Sequence, residues 1–235
     1  VTSRSLDRRR RRFAATAALA AASAVALSGC TQIVDAFNAM QAEKATGVVA
    51  TPIASPSASL LFNSQFTYDG SVSLTSEIAE DLDLHLDVWA EEPKRTLEWS
   101  PNTDKTFGFA VNVYDARVDD KAVLTEKRRV YISSVKITAQ TAQTSGQVQT
   151  PYQFTADPRT LVPSDTLRSD QGLLLNHFQG GLLVEHQTIH QLPADTYGIT
   201  LEFALTVSVE GTANTDSSFQ QQVIYQYLPI AISAD

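Results

Sequence analysis

Tyr197-Gly198-Ile199-Thr200-Leu201-Glu202-Phe203-Ala204-Leu205-Thr206-Val207-Ser208-Val209 carries apolar side chains at every odd position, seven in succession. Period two is the mark of a strand that buries one face and leaves the other in water. A helix would scatter the same residues around its whole circumference and leave no polar side. The stretch therefore predicts a long β-strand, and its neighbours extend the pattern. Gly211 to Ser218 is turn-like, and Val223, Tyr225 and Tyr227 begin a further strand that ends at Pro229.

The same alternation returns upstream. Leu60, Phe62, Phe66 and Tyr68 alternate up to Asp69-Gly70, a hairpin-type turn signal, and Val72, Leu74 and Ile78 continue beyond it. Leu82, Leu84, Leu86 and Val88 alternate with Asp81, Asp83, His85 and Asp87, and Phe107, Phe109, Val111 and Val113 form another set. Val130 and Ile132 have one parity and Val135 and Ile137 the other, which predicts a bulge near Ser133-Ser134. No long helical period follows residue 60. Many half-buried strands joined by polar turns predict an all-β, antiparallel sandwich over residues 60–235. Residues 138–182 are polar, contain Pro151, Pro158 and Pro163, and read as long connections.

Leu192-Pro193-Ala194-Asp195-Thr196-Tyr197-Gly198-Ile199-Thr200-Leu201 resembles the tyrosine corner of immunoglobulin-like and fibronectin type III-like domains. In those folds a tyrosine at the start of a late, central strand bonds back to the preceding turn. The resemblance covers about a fifth of the domain. It implies an immunoglobulin-like sandwich, with the Tyr197 hydroxyl bonded to the backbone around Leu192 to Asp195.

The N-terminal end is of another kind. Arg8 to Arg12 form a positive block, and Phe13 to Leu27 an apolar, alanine-rich run closing on small residues. That order is the pattern of a processed export signal over residues 1–29. The run is too short and too weakly apolar for a transmembrane helix, which takes about 20 apolar residues. Leu27-Ser28-Gly29-Cys30 resembles the lipobox of bacterial lipoproteins. The resemblance implies cleavage before Cys30, lipid on its thiol, and a membrane-anchored chain on the extracytoplasmic side. Arg10-Arg11-Arg12-Phe13 also resembles a twin-arginine core, and both export routes stay open. Residues 30–59 then read as the lipidated N-terminus, a short helix over 31–46 (Ile33, Phe37 and Met40 at helical spacing) and a small-residue, proline-containing tether over 47–59.

Cys30 is the only cysteine, so no disulfide forms within the chain and the core supplies its own stability. The chain has 26 acidic against 18 basic residues, and loss of residues 1–29 would leave a net charge of −13. Such a surface repels nucleic acid, which is excluded as a partner, and favours basic partners or divalent cations.

Asp81, Asp83, His85 and Asp87 share one face of a strand. Alternate residues stand about 6.5 Å apart, close enough for neighbours to share a cation. The oxygen donors suit Ca2+, and the imidazole admits Zn2+. The same residues also read as a solvated outer face whose like charges keep sheets from associating. Trp89 has their parity; it suits sugar stacking or packing under a loop. His186 and His190 lie in a strand-like context, where residues i and i+4 stand about 13 Å apart and cannot hold one ion. Ser133-Ser134-Val135-Lys136 spells the Ser-x-x-Lys of penicillin-recognising enzymes, but it falls in a strand and no Lys-Thr-Gly occurs. Arg117, Lys121, Lys127, Arg128 and Arg129 concentrate positive charge and read as a docking patch or a solvated hairpin end.

Together these features predict a lipid-anchored envelope protein, a non-enzymatic binding module for another protein or for cell-wall glycan. The alternative is a cation-dependent envelope enzyme or metal-binding protein using Asp81, Asp83, His85 and Asp87. No cofactor other than such a cation is expected.

Overall fold

The computed structural model describes residues 62–66, 70–178 and 180–234. The expected signal peptide (1–29), the lipidated Cys30, the short helix and the tether to residue 59 lie outside the described residues. Ten strands follow in chain order: β1 (Ser71–Ala79), β2 (Leu82–Ala90), β3 (Lys105–Asp115), β4 (Val130–Gln143), β5 (Tyr152–Ala156), β6 (Arg168–Ser169), β7 (Gly172–Leu174), β8 (Leu182–Ile189), β9 (Thr196–Glu210) and β10 (Phe219–Ala231). Helical structure among the described residues is confined to short 3-10 turns.

The strands form two antiparallel sheets. One has the order β1-β2-β3-β8 and the other β10-β9-β4-β7-β6, with β5 also paired to β4. Strands β1 to β3 form a meander, and β9 and β10 a hairpin. The chain changes sheets between β3 and β4, between β7 and β8, and again between β8 and β9. The architecture is an all-β sandwich.

The alternation seen in the sequence decides which face is buried. Leu82, Leu84, Leu86 and Val88 of β2 and Phe107, Phe109 and Val111 of β3 point inward and are almost fully buried. Ile199, Leu201, Phe203, Leu205 and Val207 of β9 meet them from the other sheet, each with no exposed surface. Phe109 and Phe203 touch across the layer edge to face, with ring centroids 5.7 Å apart. That geometry suits the aromatic quadrupoles. β4 enters the core on both sides of its parity change. Val130 and Ile132 are buried before it, Val135 and Ile137 after it, and the register to β9 shifts between Ile132 and Ser134. The bulge near Ser133-Ser134 therefore stands where the sequence puts it.

Two expectations are corrected. Residues 138–182 are not only connections: β4 runs on to Gln143, and β5, β6 and β7 lie in the same stretch. Tyr152 and Phe154 of β5 are inward-facing strand residues, contacting Phe107 and Phe109 at 5.7 and 6.4 Å. The strand is too short to display its period against flanking prolines. The alternation around Phe62 and Phe66 does not make a strand either. Residues 62–66 lie beside the edge of β10, where the Gln65 N–H donates to the Pro229 carbonyl at 2.9 Å.

Tyr197 also departs from its expected bonding. Its ring is half-buried at the inner edge of the sheet and meets Phe62 edge to face at 5.9 Å. Among the described residues its hydroxyl bonds nothing in the Leu192–Asp195 turn. That turn is closed by the Thr196 N–H on the Pro193 carbonyl at 3.0 Å, and by the Asp195 carboxylate, which accepts from the Ser145 N–H at 3.0 Å. Phe62 also lies over Gly198, where a Cβ would come within 2.6 Å of its ring.

Leu201→Ala and Phe203→Ala are each expected to cost about 2–5 kcal/mol, through lost burial and the cavity left behind. Tyr197→Phe should change stability by less than about 0.5 kcal/mol, because no internal hydrogen bond is lost. Urea unfolding of the three variants checks both statements, and a large loss in Tyr197→Phe would restore the corner bond.

Candidate functional site

Asp83, His85 and Asp87 of the acidic strand keep their predicted face. Asp83, His85 and Asp87 point outward from β2, half-buried between β1 and β3. Each is engaged locally. Asp87 accepts from the Ser73 hydroxyl on β1. His85 packs edge-on against Tyr114 of β3 at 4.7 Å. Asp83 lies across from Glu77 and Tyr114. Asp81 sits one step earlier in the β1–β2 turn, exposed and at φ 55°. Among the described residues no three His, Cys, Asp or Glu side chains gather closely enough to hold a metal ion. A strand spaces its side chains along a line, and among the described residues no other element adds a third metal-ligating side chain to it. Trp89, on the same face, lies flat on Gly108 of β3, where a Cβ would come within 2.7 Å of the indole. The missing side chain is what lets the ring pack there.

The two histidines of the His-x-x-x-His spacing turn to different carboxylates. His186 interrupts β8 at φ 59°, and its backbone N–H donates to Glu91 Oε1 at 2.7 Å. His190 Nδ1 lies 3.0 Å from Asp104 Oδ1. Glu91 and Asp104 line an open polar cleft with Glu92, Glu98 and Arg95. Arg95 bridges Glu92 and Glu98 at 2.8 Å each, all three exposed. Such exposed pairs contribute little stability. Beneath the cleft, Lys105 occupies the first inward position of β3 and is fully buried, donating to the carbonyls of Thr103 and His190. Sequence reading misses this residue, since lysine ordinarily marks a surface position. Its parity with Phe107 and Phe109 is the signal that could have found it.

Three residues of the positive cluster, Lys127, Arg128 and Arg129, are internal bracing, while Arg117 and Lys121 stay exposed. Arg128 is buried and makes two parallel bonds to the Asp115 carboxylate, 2.9 Å each. Arg129 grips Glu210, whose side chain has no exposed surface, and reaches Asp216 on the β9–β10 connection at 2.6 Å. Lys127 is buried and donates to the Asp120 carbonyl at 2.5 Å. Burial pushes both carboxyls up, but the arginine and backbone N–H bonds outweigh it. Asp115 and Glu210 are therefore held below the usual carboxylate range. Ser133-x-x-Lys136 lies along β4, with the Ser133 hydroxyl 3.4 Å from the Thr206 carbonyl and Lys136 exposed. No serine nucleophile is assembled there.

The feature that sequence reading missed lies at this same end. Val123, Leu167, Phe178 and Leu183 are each at least half exposed, and Leu161 adds to them. They belong to the β3–β4 connection, the β5–β8 region and the start of β8. Leu161, Leu167 and Leu183 line one groove, and Val123, Leu167 and Phe178 line the next. His177 borders both. Its Nε2 is buried and has no hydrogen-bond partner among the described residues. Its ring sits over Gly180, where a Cβ would meet it at 2.5 Å. These residues are far apart in sequence and show no shared period, so only the fold gathers them.

No family model, no curated protein and no solved structure matches the chain.

Arg128→Ala is expected to cost about 3 kcal/mol, because it leaves the buried Asp115 carboxylate with only the longer bonds from Arg117. The two depressed carboxyls stabilise the fold fully above the ordinary carboxylate range near 4. That contribution is lost as pH falls through their lower folded values. Thermal unfolding followed from pH 7 to pH 2 should fall below about pH 4. Asp115→Asn should start lower and fall less steeply; parallel curves would contradict the assignment.

Proposed function

We propose that this chain is a lipid-anchored protein of the cell envelope that works as a non-enzymatic binding module. The exposed apolar end of the sandwich carries the binding part of this reading. A contiguous apolar patch around a buried, unpartnered imidazole nitrogen is the kind of surface a protein partner covers. The patch has a definite place in the fold. The described chain begins at Phe62, against the start of β9. The patch lies at the opposite end, where β9 finishes beside Arg129 and where Leu175 bonds Val130 at the start of β4. Apolar side chains favour another protein over a glycan as the partner. The anchor rests on Leu27-Ser28-Gly29-Cys30 and the small-residue stretch behind it.

An immunoglobulin-like sandwich is part of the proposal. Strands β2, β3 and β8 match the A, B and E positions of that fold, and β4, β9 and β10 match C, F and G. The changes from β3 to β4 and from β8 to β9 fall where that fold crosses from B to C and from E to F, and the third, from β7 to β8, returns the chain to the sheet of E. β1 is an added edge strand, and β5 to β7 flank β4 where a D strand would otherwise pair with β8. Binding through the loops at one end of such a sandwich is a use the fold supports widely.

Cys30→Ala should release the chain from membranes or leave it as an uncleaved precursor. Labelled palmitate should enter the unaltered chain only; normal fractionation of the variant would end the anchoring claim. A photo-crosslinker at Phe178 should capture one envelope protein, and one at exposed Val148 should not. Phe178→Asp should abolish the capture when the probe sits at Leu167. Calorimetric titration with Ca2+ and Zn2+ separates this reading from the cation-dependent one, since heat lost in Asp83→Asn would favour the latter.

A further inference from the structure

A sheet edge is an open row of backbone donors and acceptors, and folded chains normally guard it with charge, proline, a bulge or a short strand. Three sides of this sandwich are guarded. β1 shifts register between Glu77 and Ala79 and carries exposed Glu77. β8 shifts register opposite Phe107 to Phe109 and carries exposed Glu185 beside the left-handed His186. β5 and β6 are five and two residues long.

β10 differs. Its 13 residues pair with β9 without one register shift, and none of them is charged. The only proline, Pro229, lies near the strand's end, where Gln65 already covers it. Pro229 has no N–H to give β9, and its carbonyl points outward to Gln65. By the alternation of an unshifted strand, Tyr227, Tyr225, Val223 and Gln221 point their backbone groups the same way. Among the described residues no other strand pairs with that edge. Val223, Tyr225 and Tyr227 are also about half exposed on the outer face, with Phe219 farther along on the same side.

We propose that a second copy of this chain adds its own β10 to this edge, antiparallel, about a two-fold axis through Val223. This register overlaps the whole unguarded half, Phe219 to Tyr227. It sets Val223 against the partner's Val223, Gln221 against the partner's Tyr225, and Phe219 against the partner's Tyr227. An antiparallel edge is complementary to itself, so one strand supplies both sides of an isologous contact. Like faces stay together, and the exposed aromatic row becomes a run of cross-strand pairs. Charge favours the same partner. The chain is acidic, with a net charge of −8, so two copies repel over most approaches. The uncharged β10 is a strip along which they can meet. The inference does not depend on the lipid anchor or on the apolar end around His177.

Sedimentation equilibrium of the full chain in density-matched detergent tests it. The unaltered chain should show the mass of a dimer that dissociates on dilution. Val223→Lys and Val223→Glu should each be monomeric, because the two-fold sets like charges face to face. An equal mixture of the two should recover the dimer, which a misfolded variant could not do. A monomeric unaltered chain, a Val223→Lys chain that still dimerises, or a mixture that stays monomeric would overturn the proposal.

Discussion

Every element of this protein depends on two sheets keeping strict period-two register over their inner faces. Phe109 and Phe203 meet at the centre of the layer, and rows of Leu, Val and Ile extend from them toward both ends. A slip of one residue in β2 would turn Leu82, Leu84, Leu86 and Val88 to water and bring Asp83, His85 and Asp87 inside. Those acids thus specify register whatever else they do, since burying them unpaired would be far more costly than exposing the leucines. The bulge between Ile132 and Ser134 meets the same constraint. It lets one long strand keep apolar residues inward on both sides of a parity change.

The ends of the sandwich hold polar chemistry that the centre cannot. At one, Arg128 and Arg129 satisfy carboxylates buried with them; at the other, Lys105 satisfies two carbonyls from within the core. Buried pairs of this kind add less net stability than apolar residues of the same shape, because both ions lose their water. Their contribution here is positional. Asp115 ends β3 and Arg128 precedes β4, so their pair closes the connection that carries the chain from one sheet to the other. Asn176 completes that corner, its side-chain amide bonding the backbone of Arg128 and Val130 in place of a neighbouring strand.

That bracing gives the proposed binding end its frame. Val123 lies on the connection that the Asp115–Arg128 pair closes, and Phe178 follows Asn176, which bonds the backbone of Arg128 and Val130. The proposed self-pairing edge lies along the side of the sandwich instead of at this end. An end-on partner and a side-on second copy would therefore use different surfaces.

The identity of the longer strands, the inner face of β2, β3 and β9, and the bulge in β4 were legible in the sequence; β10 was legible as a strand, but Val223, Tyr225 and Tyr227 face outward and Ile224, Leu228 and Ile230 inward. Each is written as alternation, and alternation is a local property of neighbouring residues. The proposed export signal and lipidated Cys30 rest on order along the chain and not on folding, and they lie outside the described residues. The acidic face of β2 was legible as a face, but whether it closes into a site depends on residues from elsewhere, and among the described residues no third His, Cys, Asp or Glu joins a group there. Tyr197 looked like a corner residue, yet Phe62 takes its ring and the turn closes without its hydroxyl. The basic run looked solvated because its partners, Asp115, Glu210 and Asp216, are 13 to 87 residues away. The apolar end around His177 and the unguarded edge of β10 were invisible for the same reason. The sequence determined which residues each strand would bury, because that follows from period two; the tertiary structure alone decided which charges would meet and which surfaces would be left open, because those depend on contacts between segments that share no local pattern.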